Sequence, residues 1–141
     1  MSVYADSSFL ASVYVSDAHT SEAVRLIARK PDIWLTPFHE AEIAHVISQG
    51  VFRARFSPRE ADLAAQSFQC DCDTGIWQRI AFPPNAFAAS VSLARRYGPR
   101  IGSRTLDSVH VACALELKAE RFWTFDERQR KLAKATGLKT S

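Results

Sequence analysis

Four acidic residues stand where an acid does little for a hydrophobic core. Asp6 follows the apolar run Val3-Tyr4-Ala5, and Glu42 lies within a mostly apolar helical stretch. Asp107 precedes an apolar run over residues 109–117, and Asp126 follows Phe122-Trp123-Thr124-Phe125. Taken singly, each has an ordinary structural reading. Asp6 and Asp107 suit the start of a helix, where a carboxylate accepts backbone N–H groups and meets the positive end of the helix dipole. Asp126 heads Asp-x-x-Gln129, a capping-box pattern. Glu42, in mid-helix, has no capping role and would otherwise call for an arginine partner. The set carries more than its members. In a parallel sheet, Asp6 and Asp126 both fall at C-terminal strand ends, the edge where α/β folds form ligand sites. The helices bearing Glu42 and Asp107 can present those side chains to the same edge. Carboxylates gathered there repel unless a cation neutralises them. An oxygen-only set without His or Cys selects hard ions, Mg²⁺ or Mn²⁺. Such ions clamp a phosphodiester and lower the pKa of an attacking water, so the chemistry expected is metal-assisted phosphodiester hydrolysis.

The elements that must position these acids alternate. Strands are expected over residues 3–5, 33–36, 76–81 and 121–125, with a last one over 138–140. Helices are expected over 9–15, 22–30, 38–49 (ended by Gly50), 57–70 and 86–97 (ended by Gly98-Pro99). Two more follow, one from Asp107 and one from Asp126 to Gly137. Strands separated by helices imply a mostly parallel sheet with helices on both faces. The segment 104–127 is the tightest unit: a helix apolar on nearly every face, hence buried, then a polar turn and an aromatic strand. No repeat, low-complexity tract or linker divides the chain, and its 141 residues suit one domain over 1–141.

Composition narrows the class. Hydrophobic residues make up 47% and charged residues 23% of the chain, ordinary for a soluble globular protein. Three cysteines, an odd number, argue against a disulfide framework and suit a reducing cytoplasm. The N-terminus has no basic region ahead of its apolar stretch, and no apolar run approaches the roughly 18 residues of a membrane helix. Residues 1–94 carry seven Lys/Arg against ten Asp/Glu, and residues 95–141 carry eleven against five. A basic C-terminal third fits a phosphate backbone held on one side; it fits equally a solvated helix face around Arg128, Arg130, Lys131 and Lys134. Arg100, Arg104 and Arg128 are the candidate phosphate-backbone contacts. Cys70-x-Cys72 lacks the second ligand pair of a zinc site, and Cys113 reads as core. His45 and His110 each lie about one turn from an acid, positions that structural histidines also take. There is no Gly-rich phosphate loop and no Gly-x-Ser-x-Gly elbow.

The strand-Asp6-Ser7-Ser8 start, Pro37-x4-Glu42-x2-His45, Asp107 with Ala112 and Ala114 downstream, and Thr124-Phe125-Asp126 together resemble the PIN-domain nucleases. Within that superfamily the chain looks most like the VapC toxins of bacterial and archaeal toxin–antitoxin pairs. The resemblance spans nearly the whole chain. It implies an α/β, PIN-like three-layer sandwich and a Mg²⁺- or Mn²⁺-dependent endoribonuclease, with Asp6, Glu42, Asp107 and Asp126 as the acidic metal ligands. It further implies that Ser7 is a supporting residue for the first acid and that Thr124 is the polar supporting residue just before the fourth. A homodimer and a VapB-like antitoxin whose C-terminal segment covers the acidic groove also follow from it. Asp126 stands where many relatives carry Asn, and His45 where a small residue or Asn is common. Glu40 competes with Glu42 for the second position, and Glu42 has the better spacing. Other readings are a non-enzymatic PIN-like binding module acting through a protein partner, and an RNA-processing nuclease without an antitoxin. A Mg²⁺-dependent phospho-acceptor domain fits poorly, because no acceptor Asp follows strand 76–81.

Overall fold

The computed structural model describes residues 1–141. In chain order its elements are β1 (Ser2–Ala5), α1 (Ser7–Tyr14), α2 (Thr20–Ile27), β2 (Asp32–Leu35), α3 (Pro37–Phe52) and α4 (Pro58–Asp73). They continue with β3 (Gln78–Arg79), α5 (Ala86–Ile101), α6 (Thr105–Glu116), β4 (Arg121–Trp123), α7 (Glu127–Ala135) and β5 (Lys139–Thr140). The strands form a five-stranded sheet in the order β3-β2-β1-β4-β5, with every neighbouring pair parallel. The chain winds outward from β1 to β2 and β3, then returns to β4 and β5. Strand order therefore reverses between β1 and β4.

Two-residue alternation along the strands sorts the core into two layers. Val3, Ala5, Ile33, Leu35 and Trp123 pack with residues of α1, α2, α3 and α4, among them Phe9, Leu10, Leu26, Ile43 and Phe68. Tyr4 and Phe122 face the other way, against Leu93 of α5, Val109 to Ala114 of α6 and Leu132 of α7. Strands covered on both faces must be apolar on both, which is why the central ones show no polar alternation. All seven residues from Ser108 to Ala114 are buried, as expected of a helix apolar all round. The three-layer α/β sandwich expected from the sequence is present, with the sheet wholly rather than mostly parallel.

Three expected boundaries move. Gly50 lies inside α3 rather than ending it: a Cβ at this position would run into the Phe56 ring, so glycine serves a close approach and not a cap. Helix α5 runs through Gly98-Pro99 to Ile101 and stops at Gly102, which takes the left-handed conformation at φ 71°. Proline in the last turn forfeits one backbone bond only, and the chain turns where glycine permits it. The strand expected over 76–81 pairs only at Gln78 and Arg79. Its neighbour Ile76 is solvent-exposed, as befits the frayed edge of the sheet.

Candidate active site

The residue after β1 is Asp6, which caps α1 by accepting the Phe9 N–H at 2.9 Å. Its own N–H donates to the Trp123 carbonyl at 3.0 Å, because β1 and β4 pair through Ala5 and Trp123. Asp6 thus stands where strand order reverses, with the fully buried Thr124 directly after β4. Crevices open at this place in α/β sheets.

The start of α3 is tied to the end of β1 through His39. The Thr36 N–H donates to His39 Nδ1 at 3.0 Å, which leaves the proton on Nε2 to donate to the Ala5 carbonyl at 2.9 Å. Burial pushes the His39 pKa down to about 3, so the ring stays neutral. This clip sets the register of α3, and with it Glu42, one turn further on, against Ser7. The Ser7 hydroxyl donates to Glu42 Oε1 at 2.8 Å. On the other side, His110 of α6 bonds through Nε2 to the same carboxylate and through Nδ1 to the Tyr4 hydroxyl at 2.9 Å. His110 is 3% exposed. A buried chain of hydrogen bonds, Tyr4–His110–Glu42–Ser7, therefore crosses the layers and fixes the Glu42 carboxylate.

The two acids respond in opposite directions. Burial raises the Asp6 pKa to about 6, opposed in part by His110, the Phe9 N–H and the Thr124 hydroxyl. Burial also acts upward on Glu42, but the hydrogen bonds from His110 and Ser7 outweigh it and hold this carboxyl below its ordinary range. Asp107 is the third residue of α6 and accepts the Arg104 backbone N–H and Nε, each at 3.2 Å. The same guanidinium reaches Asp126 at 3.7 Å. Asp126 caps α7, accepting the Gln129 N–H at 2.8 Å, and its own N–H donates to the Thr124 hydroxyl at 3.0 Å. The helix-start roles legible in the sequence are therefore real for Asp6, Asp107 and Asp126, although the box expected at Asp126 does not close, because Gln129 Nε2 donates to the Asp107 carbonyl instead; these roles orient the side chains without excluding a second one.

Asp6, Ser7, Glu42, Asp107, His110 and Gln129 line one cleft of about 670 Å³. The α3 stripe Phe38-Ala41-Glu42-His45-Val46-Gln49-Gly50, followed by Arg53 and Arg55 just past the helix, lines it as well. Asp126 is outside the lining and joins it through Arg104. All three candidate contacts, Arg100, Arg104 and Arg128, are outside the lining too; Arg100 lies over the Tyr97 ring, 5.9 Å from its centroid. Glu40 points elsewhere, to Arg79 at 2.8 Å, so of the two competing glutamates only Glu42 reaches the cleft. Cys70, Cys72 and Cys113 are free thiols, and no helix is long and apolar enough to cross a membrane.

The donor set fits a hard divalent ion in its chemistry: oxygen ligands from Asp6, Glu42 and Asp107 on one cleft, with more negative than positive charge at its floor. Gln129 adds to this, since it is 1% exposed and its Oε1 has no hydrogen-bond partner, an acceptor left over for a ligand or its water. As the side chains lie, no three of the His, Cys, Asp or Glu groups are gathered at ligating range. Glu42 is turned to His110 and Asp107 to Arg104, so those two acids must rotate to share an ion. The sequence marks His39, Arg53 and Arg55 with no site motif, and Gln129 only as a capping partner of Asp126. Helical spacing held a signal for two of them: His39 stands one turn before Glu42, and Arg53 falls on the Glu42–Val46–Gln49 stripe.

A fold of this topology with acids at its switch point defines a class, and comparison with known proteins agrees. The chain matches the PIN domain family over residues 3–135 and belongs to that family. No curated protein sequence matches it. Among solved structures, VapC20 of Mycobacterium tuberculosis, described as a sarcin–ricin loop cleaving toxin, superposes with a TM-score of 0.70 at 19% identity, over 96% of this chain and 95% of that one. VapBC2 of Rickettsia felis, solved on a promoter DNA fragment, gives a TM-score of 0.66 at 15% identity, over 100% and 98% of the two chains. FitAcB of Neisseria gonorrhoeae gives 0.67 at 12% identity, over 98% and 95%. At these identities the likeness is one of fold.

Proposed function

We propose that this protein is a divalent-metal-dependent endoribonuclease acting as the toxin of a toxin–antitoxin pair. The observation that carries the reading is the meeting of Asp6, Glu42 and Asp107 on one cleft at the point where strand order reverses, in a chain of the PIN family. Asp6, Glu42, Asp107 and, from the margin, Asp126 would hold Mg²⁺ or Mn²⁺. Such an ion supplies a water of lowered pKa and neutralises charge on the scissile phosphate.

The chain's own residues do the positioning. The Phe9 N–H and Thr124 hydroxyl hold Asp6, Ser7 and His110 hold Glu42, and Arg104 bridges Asp107 and Asp126. Asp6 is half-protonated only near pH 6, so at neutral pH it is a buried anion awaiting a counter-charge. The toxin assignment, with a VapB-like antitoxin and a cytoplasmic site of action, is supported by the VapC and FitAcB fold neighbours. A homodimer is supported by Phe87 and Val91, which lie exposed about one turn apart on α5; a monomer mass by light scattering would refute it.

The decisive experiment is cleavage of total RNA by the purified protein with Mg²⁺, Mn²⁺ or EDTA, beside Asp6→Asn. Discrete metal-dependent fragments that vanish in the variant are expected. Intact RNA under every condition, from folded protein free of antitoxin, would favour a non-enzymatic binding module. The engagement of Glu42 by His110 and Asp107 by Arg104 is what such a module would also show.

A further inference from the structure

Helix α3, which carries Glu42 into the cleft, ends in a turn bearing two arginines. Helix α3 closes over Arg53, Ala54 and Arg55, with Ala54 N–H donating to the Val51 carbonyl at 3.0 Å and Arg55 N–H to the Gly50 carbonyl at 2.9 Å. Ala54 takes φ 54°, the left-handed conformation that closes a helix C-terminus, as Lys30 and Lys118 do after α2 and α6. The Phe56 ring sits where a Cβ of residue 50 would be, which locks the turn onto α3. The result is that Arg53 and Arg55 both line the acidic cleft. Neither guanidinium meets a carboxylate within 4 Å, although the floor of the same cleft is acidic. Beside them Phe52 is 85% exposed, and its helical position, seven residues after His45 and three after Gln49, continues the edge of the cleft-lining stripe.

Two unpaired guanidiniums in the lining of an acidic groove and a bare aromatic ring next to them in the chain have complementary uses on one ligand. Guanidinium forks bind phosphate oxygens in bidentate fashion, and an exposed aromatic face stacks an unpaired base whatever its identity. We propose that Phe52, Arg53 and Arg55 form the strand-holding rim of this site: the two arginines grip phosphates flanking the scissile bond, and Phe52 stacks an adjacent unpaired base. The rim also answers an electrostatic problem. A polyanion approaching three carboxylates is repelled, and positive charge at the entrance draws it in while the ion neutralises the floor. This assigns substrate contact to the α3–α4 turn rather than to Arg100 and Arg128. It rests on the nuclease reading given above.

The test is binding of a fluorescein-labelled single-stranded oligoribonucleotide to the full chain in EDTA, followed by anisotropy across a salt series. R53Q and R55Q are each expected to weaken binding about fivefold and to flatten the salt slope by about 0.7, one phosphate contact each on a single strand. F52A is expected to lose about fivefold or more with the slope unchanged, because stacking carries no counterion release. R100Q and R128Q serve as exposed-arginine controls and should change neither quantity by as much. In Mg²⁺ the rim variants should raise KM for a cleaved RNA and leave kcat in place. All three rim residues are at the surface of the turn, and matching melting curves verify that the variants fold. Parent affinity and slope in R53Q and R55Q, or losses no larger than in the two controls, would overturn the rim. A parent protein that cleaves RNA while the rim variants bind unchanged defeats the rim alone; a parent that neither binds nor cleaves RNA defeats the nuclease reading with it.

Discussion

Replacing Asp6 with Asn should stabilise the protein at neutral pH while abolishing its chemistry. Asp6 is 5% exposed and burial raises its pKa from 3.8 to about 6. A raised carboxyl pKa means that the folded state binds a proton more tightly than the unfolded chain. The stability associated with this group is therefore fully present below about pH 4 and is lost as pH rises through about 6. A shift of about two units corresponds to about 3 kcal/mol of cost for holding the charge at pH 7. Asn keeps the capping oxygen for the Phe9 N–H and carries no charge, so Asp6→Asn removes most of that cost. For a chain of 141 residues the gain amounts to roughly 10 °C in melting temperature.

The assay is urea unfolding of the two proteins at pH 7.5 and pH 4. The variant should be more stable by up to about 3 kcal/mol at the higher pH and by less than about 1 kcal/mol at the lower. Added Mg²⁺ should raise the melting temperature of the parent more than that of the variant, since an ion that binds only the folded state stabilises it by mass action. A variant less stable than the parent at pH 7.5, or a gap independent of pH, would refute the view that Asp6 is a desolvated anion held for a cation.

His110→Ala should cost about 2–4 kcal/mol in chemical denaturation, because the buried Tyr4 hydroxyl and one face of Glu42 lose their partner; unchanged stability would show the hydrogen-bond chain to be idle. Glu42 is held below its ordinary pKa, so its contribution is present above its unfolded value and fades as pH falls through its folded one, and His110→Ala should blunt that acid limb. Gly50→Ala should destabilise by about 1–3 kcal/mol through overpacking against Phe56, and trimming Phe56 to Ala in the same chain should remove the clash, an outcome that a double-mutant cycle reads directly. Asp107→Asn should eliminate metal-dependent cleavage with the fold intact, measured by RNA fragment patterns beside circular dichroism, and retained cleavage would strike Asp107 from the ligand set.

Much of this molecule is legible in the amino-acid sequence, because short-range physics decides it. Alternating strand and helix segments dictate a parallel sheet; a helix apolar on every face must be buried; Asp6, Asp107 and Asp126 announce helix starts. Gly50 and Gly98-Pro99 read locally as stops, but the first is a contact point for a ring six residues ahead and the second falls in a last turn that tolerates it. A side-chain contact one turn beyond the helix decided the first, and the position of the left-handed Gly102 decided the second.

The acids themselves, their order and their place at strand ends were set by the sequence alone, and so was membership of a fold with its crevice at that edge. Only the tertiary structure decided which of them meet. It brought Asp6, Glu42 and Asp107 to one cleft, left Asp126 at the margin behind Arg104 and sent Glu40 to Arg79. It also clipped α3 to β1 through His39, strung Tyr4, His110, Glu42 and Ser7 together across the layers, and placed Arg53 and Arg55 in the lining of the same cleft. The physical reason is distance along the chain: a cap or a stripe is settled within one or two turns. The Ser7–Glu42 and His110–Glu42 bonds join residues 35 and 68 positions apart, and their partners are chosen only when the sheet has brought its layers together.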